Sequence, residues 1–487
     1  MINQKKIKWK TSDYVRVILL FLFQSIFLIA LFLGAVCIQD KSFKVITDLI
    51  YNIQAFNKWA YIFVAVVLLT FVAFIYFYTD KRDYLLKTSN VFLMFSILDV
   101  SFIACSLFGS ISIYLRPFAL CSLLVLFLVD KRAAIFMNCF FSMLMLLFDL
   151  FIGHYYTSDF TVYNALIINF ITGMLAVFFV DGEGSRIKVL FQGLFISAPV
   201  VVCAICLEVT SNLETLGIVA LYALISGVLS DALMMVTLPF FEYVFSALTN
   251  FRLSELTNHK SKLIKCLIER APGTFNHTII VASLAEACAN AISLNPLLAR
   301  TCAYYHDIGK IQKPEFFAEN QAGVNPHNEL SPELSTDIIR AHAEEGAELI
   351  RKCHLPEVLA DAAVQHHGTL PIRFFYAKAL KFTDGSLDVE DYSYYGPKPQ
   401  TKINAILMIC DACEAKVRTI ANRTHENVDK AVKDIIEERI DLDQFTECDI
   451  TFKELDIIRN TITNTLAGVY HDRVKYPKLK IGGKSGN

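Results

Sequence analysis

Long uncharged apolar runs, all of them before residue 250, constrain this chain more than any other feature. A helix that crosses the hydrocarbon of a bilayer needs about 20 mostly apolar residues. Eight segments approach that length: 17–38, 59–78, 91–108, 113–129, 133–152, 162–180, 189–207 and 216–240. A core helix of a soluble bundle rarely runs so far without a charged face. The runs therefore predict a polytopic transmembrane helical bundle. Only a few residues around Gly109 and Ser110 part the third run from the fourth.

Charges between the runs set a direction, because Lys and Arg concentrate on the cytoplasmic side. Lys5, Lys6, Lys8 and Lys10 precede the first run, and Lys81, Arg82 and Lys87 follow the second. Lys131 and Arg132 follow the fourth, and Arg186 and Lys188 follow the sixth. Loops 153–161 and 208–215 carry neither Lys nor Arg. Lys41, Lys44, Lys58 and Arg116 run against the pattern. The alternation places the N-terminus and the C-terminal half in the cytoplasm, at the inner membrane. No clear small-residue cleavage site follows the first run, so it reads as a retained anchor. The expected organisation is a cytoplasmic N-terminus (1–16), an anchoring span (17–38) and a short extracellular loop (39–58). A seven-helix region (59–246) and a cytoplasmic domain (247–487) follow. The loop 39–58 leaves no room for a folded extracellular sensor. Asp99, Asp149 and Asp231 fall inside runs, where charge is costly; they are expected to face the bundle interior and to hydrogen-bond there.

Beyond residue 250 the pattern turns amphipathic. Helices are expected near 258–270, 277–292, 296–306, 331–354, 356–366, 402–418, 425–439 and 452–469, with scarce strand signals. The whole chain is thus expected to be all-α. The formal net charge of -2 gives no basic field for a nucleic-acid polymer. Cys410 and Cys413 form a lone CxxC, read as two buried thiols rather than a zinc ribbon.

Ten of the 11 histidines lie in this half. Several stand in ligand-like contexts: Asn276-His277, His306-Asp307-Ile308-Gly309-Lys310, Ala341-His342 and Gln365-His366-His367-Gly368. Asp411 adds a carboxylate. Imidazoles mixed with carboxylates suit divalent transition metals. Two such ions about 3.5–4 Å apart can activate water and neutralise phosphoryl oxygens, which is what hydrolysis of an anionic phosphodiester requires. Asp307 is the natural bridge between them, and Lys310 can meet a phosphate oxygen as a point charge. His306, Asp307 and Lys310 are the catalytic candidates. Tyr305 and Tyr394 are candidates for stacking on a base, and Lys398 and Arg418 for phosphate contact.

His277, His306-Asp307, His342, His366-His367 and Asp411 match, in order, the ligand set of two-metal HD-domain phosphodiesterases. Residues 271–277, 304–310, 319–321, 365–369 and 396–400 resemble the seven-transmembrane HD family, including its PgpH-type cyclic di-AMP phosphodiesterases. The resemblance implies a transmembrane bundle followed by an all-α HD-domain phosphohydrolase with two Mn or Fe ions. It places His277, His306, Asp307 and Asp411 on one ion, and Asp307, His342, His366 and His367 on the other. It implies hydrolysis of cyclic di-AMP to pApA, read here as in-line attack by a metal-bridging hydroxide. Cyclic di-GMP or a guanosine polyphosphate remains an alternative substrate, and a nucleotide-sensing receptor without turnover an alternative class. The expected partners are a cyclic dinucleotide and the lipid bilayer, with a homodimer left open. Members often carry a large extracellular domain after the first span, where this chain has only loop 39–58. Tyr395 stands where the family often has proline.

Overall fold

The computed structural model describes residues 9–40, 47, 51–152, 159–182, 185–208, 212–321, 323–382 and 387–469. Lys5, Lys6, Lys8, residues 41–46 and 48–50 of the 39–58 loop, and residues 153–158 and 209–211 lie outside them. The chain divides into two compact units, Met1–Phe251 and Arg252–Asn487. Among the described residues there is no β-strand, only an isolated bridge between Pro371 and Ser393.

The first unit is built from α1 (Thr11–Asp40), α2 (Ile53–Asp80), α3 (Thr88–Gly109), α4 (Leu120–Leu128), α5 (Lys131–Ile152), α6 (Asp159–Val180), α7 (Arg186–Ile196), α8 (Ala198–Glu208) and α9 (Leu213–Phe245). Among the described residues seven helices are long and apolar enough to cross a membrane, with α7 and α8 together counted as one of them. The protein is a multi-pass membrane protein. Large apolar side chains on its outer surface, among them Phe71, Phe179, Phe191 and Phe195, are more than half exposed, as lipid contact requires.

The fourth apolar run departs from expectation. It yields a 3₁₀ turn at Ile113–Leu115 and then α4, nine residues long. At about 1.5 Å per residue, α4 crosses less than half of a bilayer core about 30 Å thick. Pro117 explains the loss, since it has no amide to donate and biases Arg116 away from helical geometry. Arg116 is extended, with ψ at 135°.

Two of the three intramembrane aspartates find partners. Asp99 accepts from Gln24 Nε2 at 2.7 Å. Asp149 takes both guanidinium nitrogens of Arg116 at 2.7 Å, and this pair is fully buried. Gly109 leaves room for it, because a β-carbon there would lie 2.5 Å from Arg116 Nε. Asp231 is also buried; its oxygens make no well-formed hydrogen bond but lie against the Gly193 backbone.

The second unit carries α10 (Lys262–Arg270), α11 (Pro272–Ala291), α12 (Pro296–Tyr305), α13 (Pro332–Lys352), α14 (Glu357–Gln365), α15 (Lys402–Arg418), α16 (His425–Asp441) and α17 (Phe452–Val469). The Ala-Pro-Gly that reads as a break between two helices is where α11 begins, five residues before His277. Proline suits the first helical turn, where no amide partner is needed. Asn295 and Ser331 cap α12 and α13 by accepting from the amides of Leu298 and Leu334. α11 is central. Its buried face of Val281, Ala282, Leu284, Ala285 and Cys288 packs among α12, α15 and α17.

Candidate metal centre

Two glycines shape the site. A β-carbon on Gly309 would fall 1.9 Å from the His342 carbonyl and 2.7 Å from the Gly346 amide. The His306-Asp307 turn can therefore press directly on α13. A β-carbon on Gly273 would fall 1.9 Å from the Glu319 carbonyl. That contact seats the start of α11 on the 318–320 turn, where Thr274 and Asn320 exchange hydrogen bonds of 3.1 and 2.8 Å. These approaches aim His277, His306-Asp307 and His342 at one point. His366 and His367 come from the end of α14. Gln365 beside them accepts from the Gln400 amide (2.9 Å) and Asn404 Nδ2 (2.7 Å), tying that turn to the 396–400 loop.

Asp307 stands at the centre, 2% exposed. Its Oδ2 lies 3.3 Å from His306 Nε2 and 3.7 Å from His277 Nε2. Its Oδ1 lies 3.4 Å from His342 Nε2 and 3.6 Å from His366 Nε2. One carboxylate thus presents one oxygen to each of two candidate metal groups: His277, His306 and Asp307, and Asp307, His342, His366 and His367. Asp411 Oδ1 is 3.0 Å from His277 Nε2 and 3.9 Å from His306 Nε2, and its Oδ2 is 3.9 Å from His367 Nδ1.

The far nitrogens settle the protons. Nδ1 of His306 and of His366 faces the Ala303 carbonyl at 2.6 Å and the Ala363 carbonyl at 2.8 Å, and Nδ1 of His342 faces the Ile339 carbonyl. A carbonyl can only accept, so each Nδ1 carries the proton and each Nε2 turns a lone pair inward. Nε2 of His342 and of His366 then stand 3.3 Å apart, lone pair to lone pair. His306 Nε2 and Asp307 Oδ1 are shut away from solvent without a hydrogen bond. Converging lone pairs, with Lys310 Nζ a donor to Asp307 Oδ2 alone among them, fit metal ions.

Electrostatics agree with that geometry. Burial opposes charge on Asp307, yet His306 and Lys310 hold its carboxyl well below the usual range. Burial and the neighbouring rings hold His366 down at about 4, so it is neutral at pH 7. Burial also weighs against a charged His277, but hydrogen bonds to Asp411 and Glu414 raise it to about 10. Lys310 sits 2.7 Å from Asp307 Oδ2 and 3.0 Å from Glu319 Oε1, and these carboxylates keep it charged despite burial.

Around this core, Tyr394 stacks on His367 with centroids 4.3 Å apart. Arg418 reaches to 3.8 Å from Glu414, and Lys398 to 3.4 Å from Thr446 Oγ1. Tyr305 corrects its expected role. Its ring is fully buried, and its hydroxyl donates to the Leu256 carbonyl at 2.9 Å, 3.0 Å from Ser261 Oγ. No base can stack on it. Two acids were given no role by the sequence reading. Glu414, 1% exposed, hydrogen-bonds His277 Nδ1 and so orients that ring. Glu319 joins Lys310 to Thr274. The one sequence signal for Glu414 is its spacing, one helical turn after Asp411.

Two family models match the chain in succession. The 7TM receptor with intracellular HD hydrolase matches residues 56–249, and the HD domain matches residues 274–416. The cyclic-di-AMP phosphodiesterase PgpH of Bacillus subtilis (strain 168) is 37% identical over 448 residues, covering 89% of this chain and 62% of its own length. The PgpH of Listeria monocytogenes serotype 1/2a (strain 10403S) is 35% identical over 431 residues, covering 85% of this chain and 59% of its own. The chain thus spans about three fifths of the length of these relatives. The solved HD domain of L. monocytogenes phosphodiesterase PgpH in complex with cyclic-di-AMP is 47% identical, over 44% of this chain and 99% of that one, with a TM-score of 0.42. With both matched regions in order, and a two-group His/Asp centre inside the second, the chain belongs to the family of 7TM receptors with an intracellular HD hydrolase.

Proposed function

We propose that this protein is a membrane-bound, metal-dependent phosphodiesterase that hydrolyses cyclic di-AMP to pApA. The observation that carries the reading is Asp307, with one oxygen turned to each of two sets of imidazole lone pairs. The substrate is taken from the PgpH relatives, which are cyclic-di-AMP phosphodiesterases. HD domains are metal-dependent, and the donor set suits Mn or Fe.

In this reading His277, His306, Asp307 and Asp411 hold one ion, and Asp307, His342, His366 and His367 the other. Bound there, two divalent ions lower the pKa of water and neutralise phosphoryl oxygens. The chain's own residues do the positioning. Backbone carbonyls lock three rings in the metal-binding tautomer, and Glu414 does the same for His277. Lys310 brings a permanent positive charge to the anionic substrate, with Glu319 holding its side chain. Tyr394, backed by His367, offers a face for a base, and Lys398 and Arg418 stand within reach of phosphates. With the shorter apolar segment Ile113–Leu128 counted as an eighth passage, the N-terminus and the second unit face the cytoplasm, as the Lys and Arg distribution directs.

The full chain in detergent, loaded with Mn²⁺ or Fe²⁺, tests this. Cyclic di-AMP, cyclic di-GMP and guanosine polyphosphates are incubated separately, and products are resolved by chromatography. Conversion of cyclic di-AMP to pApA is expected. Turnover of cyclic di-GMP alone would overturn the substrate, and turnover of none would overturn the enzyme.

A further inference from the structure

The second unit holds an open cleft of about 460 Å³ that the phosphodiesterase reading does not use. Its size is that of a small-molecule site, roughly 300–1,000 Å³. Three segments meet there: Arg252–Leu256, the start of α10, and the turn that ends α13. Leu256 and Leu263 are buried and Leu355 partly so, which makes them the floor. Lys262, Lys352 and His354 are exposed and form the rim, with Arg252 half-buried beside them. Another cleft of this unit measures 220 Å³; it is lined by Phe445, Phe452 and Leu455 with Asp443, and no cation stands on it.

The larger cleft sets Arg252, Lys262 and Lys352 against one acid, in a chain whose formal net charge is -2. That acid, Glu255, lies 3.8 Å from Arg252 Nη1, and Lys352 Nζ lies 2.8 Å from Glu348 Oε2, one turn back on α13. Both pairs are open to solvent, and such pairs hold so weakly that a phosphate can compete for their cations. His354 has φ at 53°, the left-handed region in which helices commonly end on glycine. The Leu355 amide donates to the Ile350 carbonyl at 3.1 Å and closes this turn. A histidine where glycine is the unstrained choice points to a use for its ring. The cleft also touches the chain segment of the metal centre. Ser261 lines it, with Oγ 3.0 Å from the hydroxyl of Tyr305, the residue before His306.

A cationic rim over an apolar floor fits an amphiphile that carries a phosphate. Arg252 follows closely on Phe245, where α9 ends, and seven steps of extended chain reach about 25 Å at most. The cytoplasmic face of a bilayer carries acidic phospholipids, which attract Lys and Arg held near it. We propose that this cleft binds the headgroup of an acidic phospholipid, with Arg252, Lys262 and Lys352 on its phosphate and the leucines against its glycerol. The proposal rests on the cytoplasmic placement of the second unit and not on its chemistry.

The full chain in lipid nanodiscs tests this by amide hydrogen exchange at fixed pH and ionic strength. Discs of phosphatidylcholine alone are compared with discs that also contain phosphatidylglycerol. The amides of 256–263 and 353–355 are expected to exchange about tenfold more slowly with the acidic lipid, and those of α16 at an unchanged rate. Lys262→Gln/Lys352→Gln is expected to abolish the slowing, and Lys430→Gln/Lys433→Gln, at exposed lysines of α16, to keep it. If the cleft variant does not fold, Lys262→Gln alone decides, with the slowing reduced. Equal exchange in the two kinds of disc overturns the proposal. So does a slowing that survives in the cleft variant or spreads equally over α16. Glycerol 3-phosphate added to phosphatidylcholine discs tests the source: if it slows the same amides as much, the ligand is a soluble phosphate ester and the lipid assignment falls. None of these readouts involves turnover, so their failure leaves the phosphodiesterase reading intact.

Discussion

Both units bury charge, and they do so by opposite rules. In the membrane unit, Arg116 and Asp149 meet fork to fork and satisfy each other. In the second unit, five imidazoles and two carboxylates crowd together with Lys310 as their nearby ammonium, and lone pairs face lone pairs. A pair that closes on itself holds a structure together. A set that cannot close on itself holds room for something from outside. The difference lies in donor count, not in depth of burial, since His306, Asp307, His342 and His366 are as removed from water as Arg116 and Asp149.

Asp307→Ala puts the sharpest break into that comparison. It removes the oxygens shared by both groups, and with them several kcal/mol of transition-state stabilisation, about a thousandfold or more in rate. Turnover assays with metal analysis should show activity gone and both ions weakened, with the helical circular dichroism signal kept. A fully active variant would mean that Asp307 is no bridge. Next in size is Arg116→Met, which strands Asp149 and should destabilise the membrane unit by about 3–5 kcal/mol. The double variant Arg116→Met/Asp149→Leu should recover most of that loss in a denaturation series. If it is as unstable as the single variant, the pair is not self-contained.

Glu414→Gln should weaken metal affinity about 10- to 100-fold, read by titration of the metal-free chain, with the fold unchanged. Unaltered affinity would reduce Glu414 to packing. A separate effect is on pH dependence without metal. His277, raised to about 10 from 6.5, contributes stability that is full below pH 6.5 and lost as pH climbs toward 10. His366, lowered from 6.5 to about 4, stays neutral in the fold while the unfolded chain takes up its proton, so stability falls as pH drops from 6.5 to 4. Their joint contribution peaks near pH 6.5, and loading metal should flatten it. Chemical denaturation at stepped pH, with and without metal, would reveal a monotonic profile if the two shifts are misassigned.

What the sequence makes legible divides along physical lines. Long apolar runs are readable because little else explains them, and seven full-length spanning helices follow among the described residues. The fourth run misleads because hydropathy sums over 113–129 while ignoring the backbone, and Pro117 cuts it to half length. His306-Asp307 and His366-His367 are readable because adjacent ligands are rare by chance, and the structure brings both pairs to one place. Tyr305 misleads for a related reason. Neighbours on a helix point about 100° apart, so closeness to His306 in sequence says nothing about facing the same space. Glu414 is hidden because a glutamate on an amphipathic helix reads as solvated surface until the fold buries it beside His277. Asp231 is recognisable as unusual, but whether an aspartate has a partner is a property of packing alone.

The backbone carbonyls behind His306, His342 and His366 have one more consequence. Each ring hydrogen is already parked on the preceding turn of its own helix, so capturing an ion at these nitrogens displaces no proton and turns no side chain. These three rings would then wait in their finished orientation, while His277, held protonated in the apo protein, must give up a proton to take an ion.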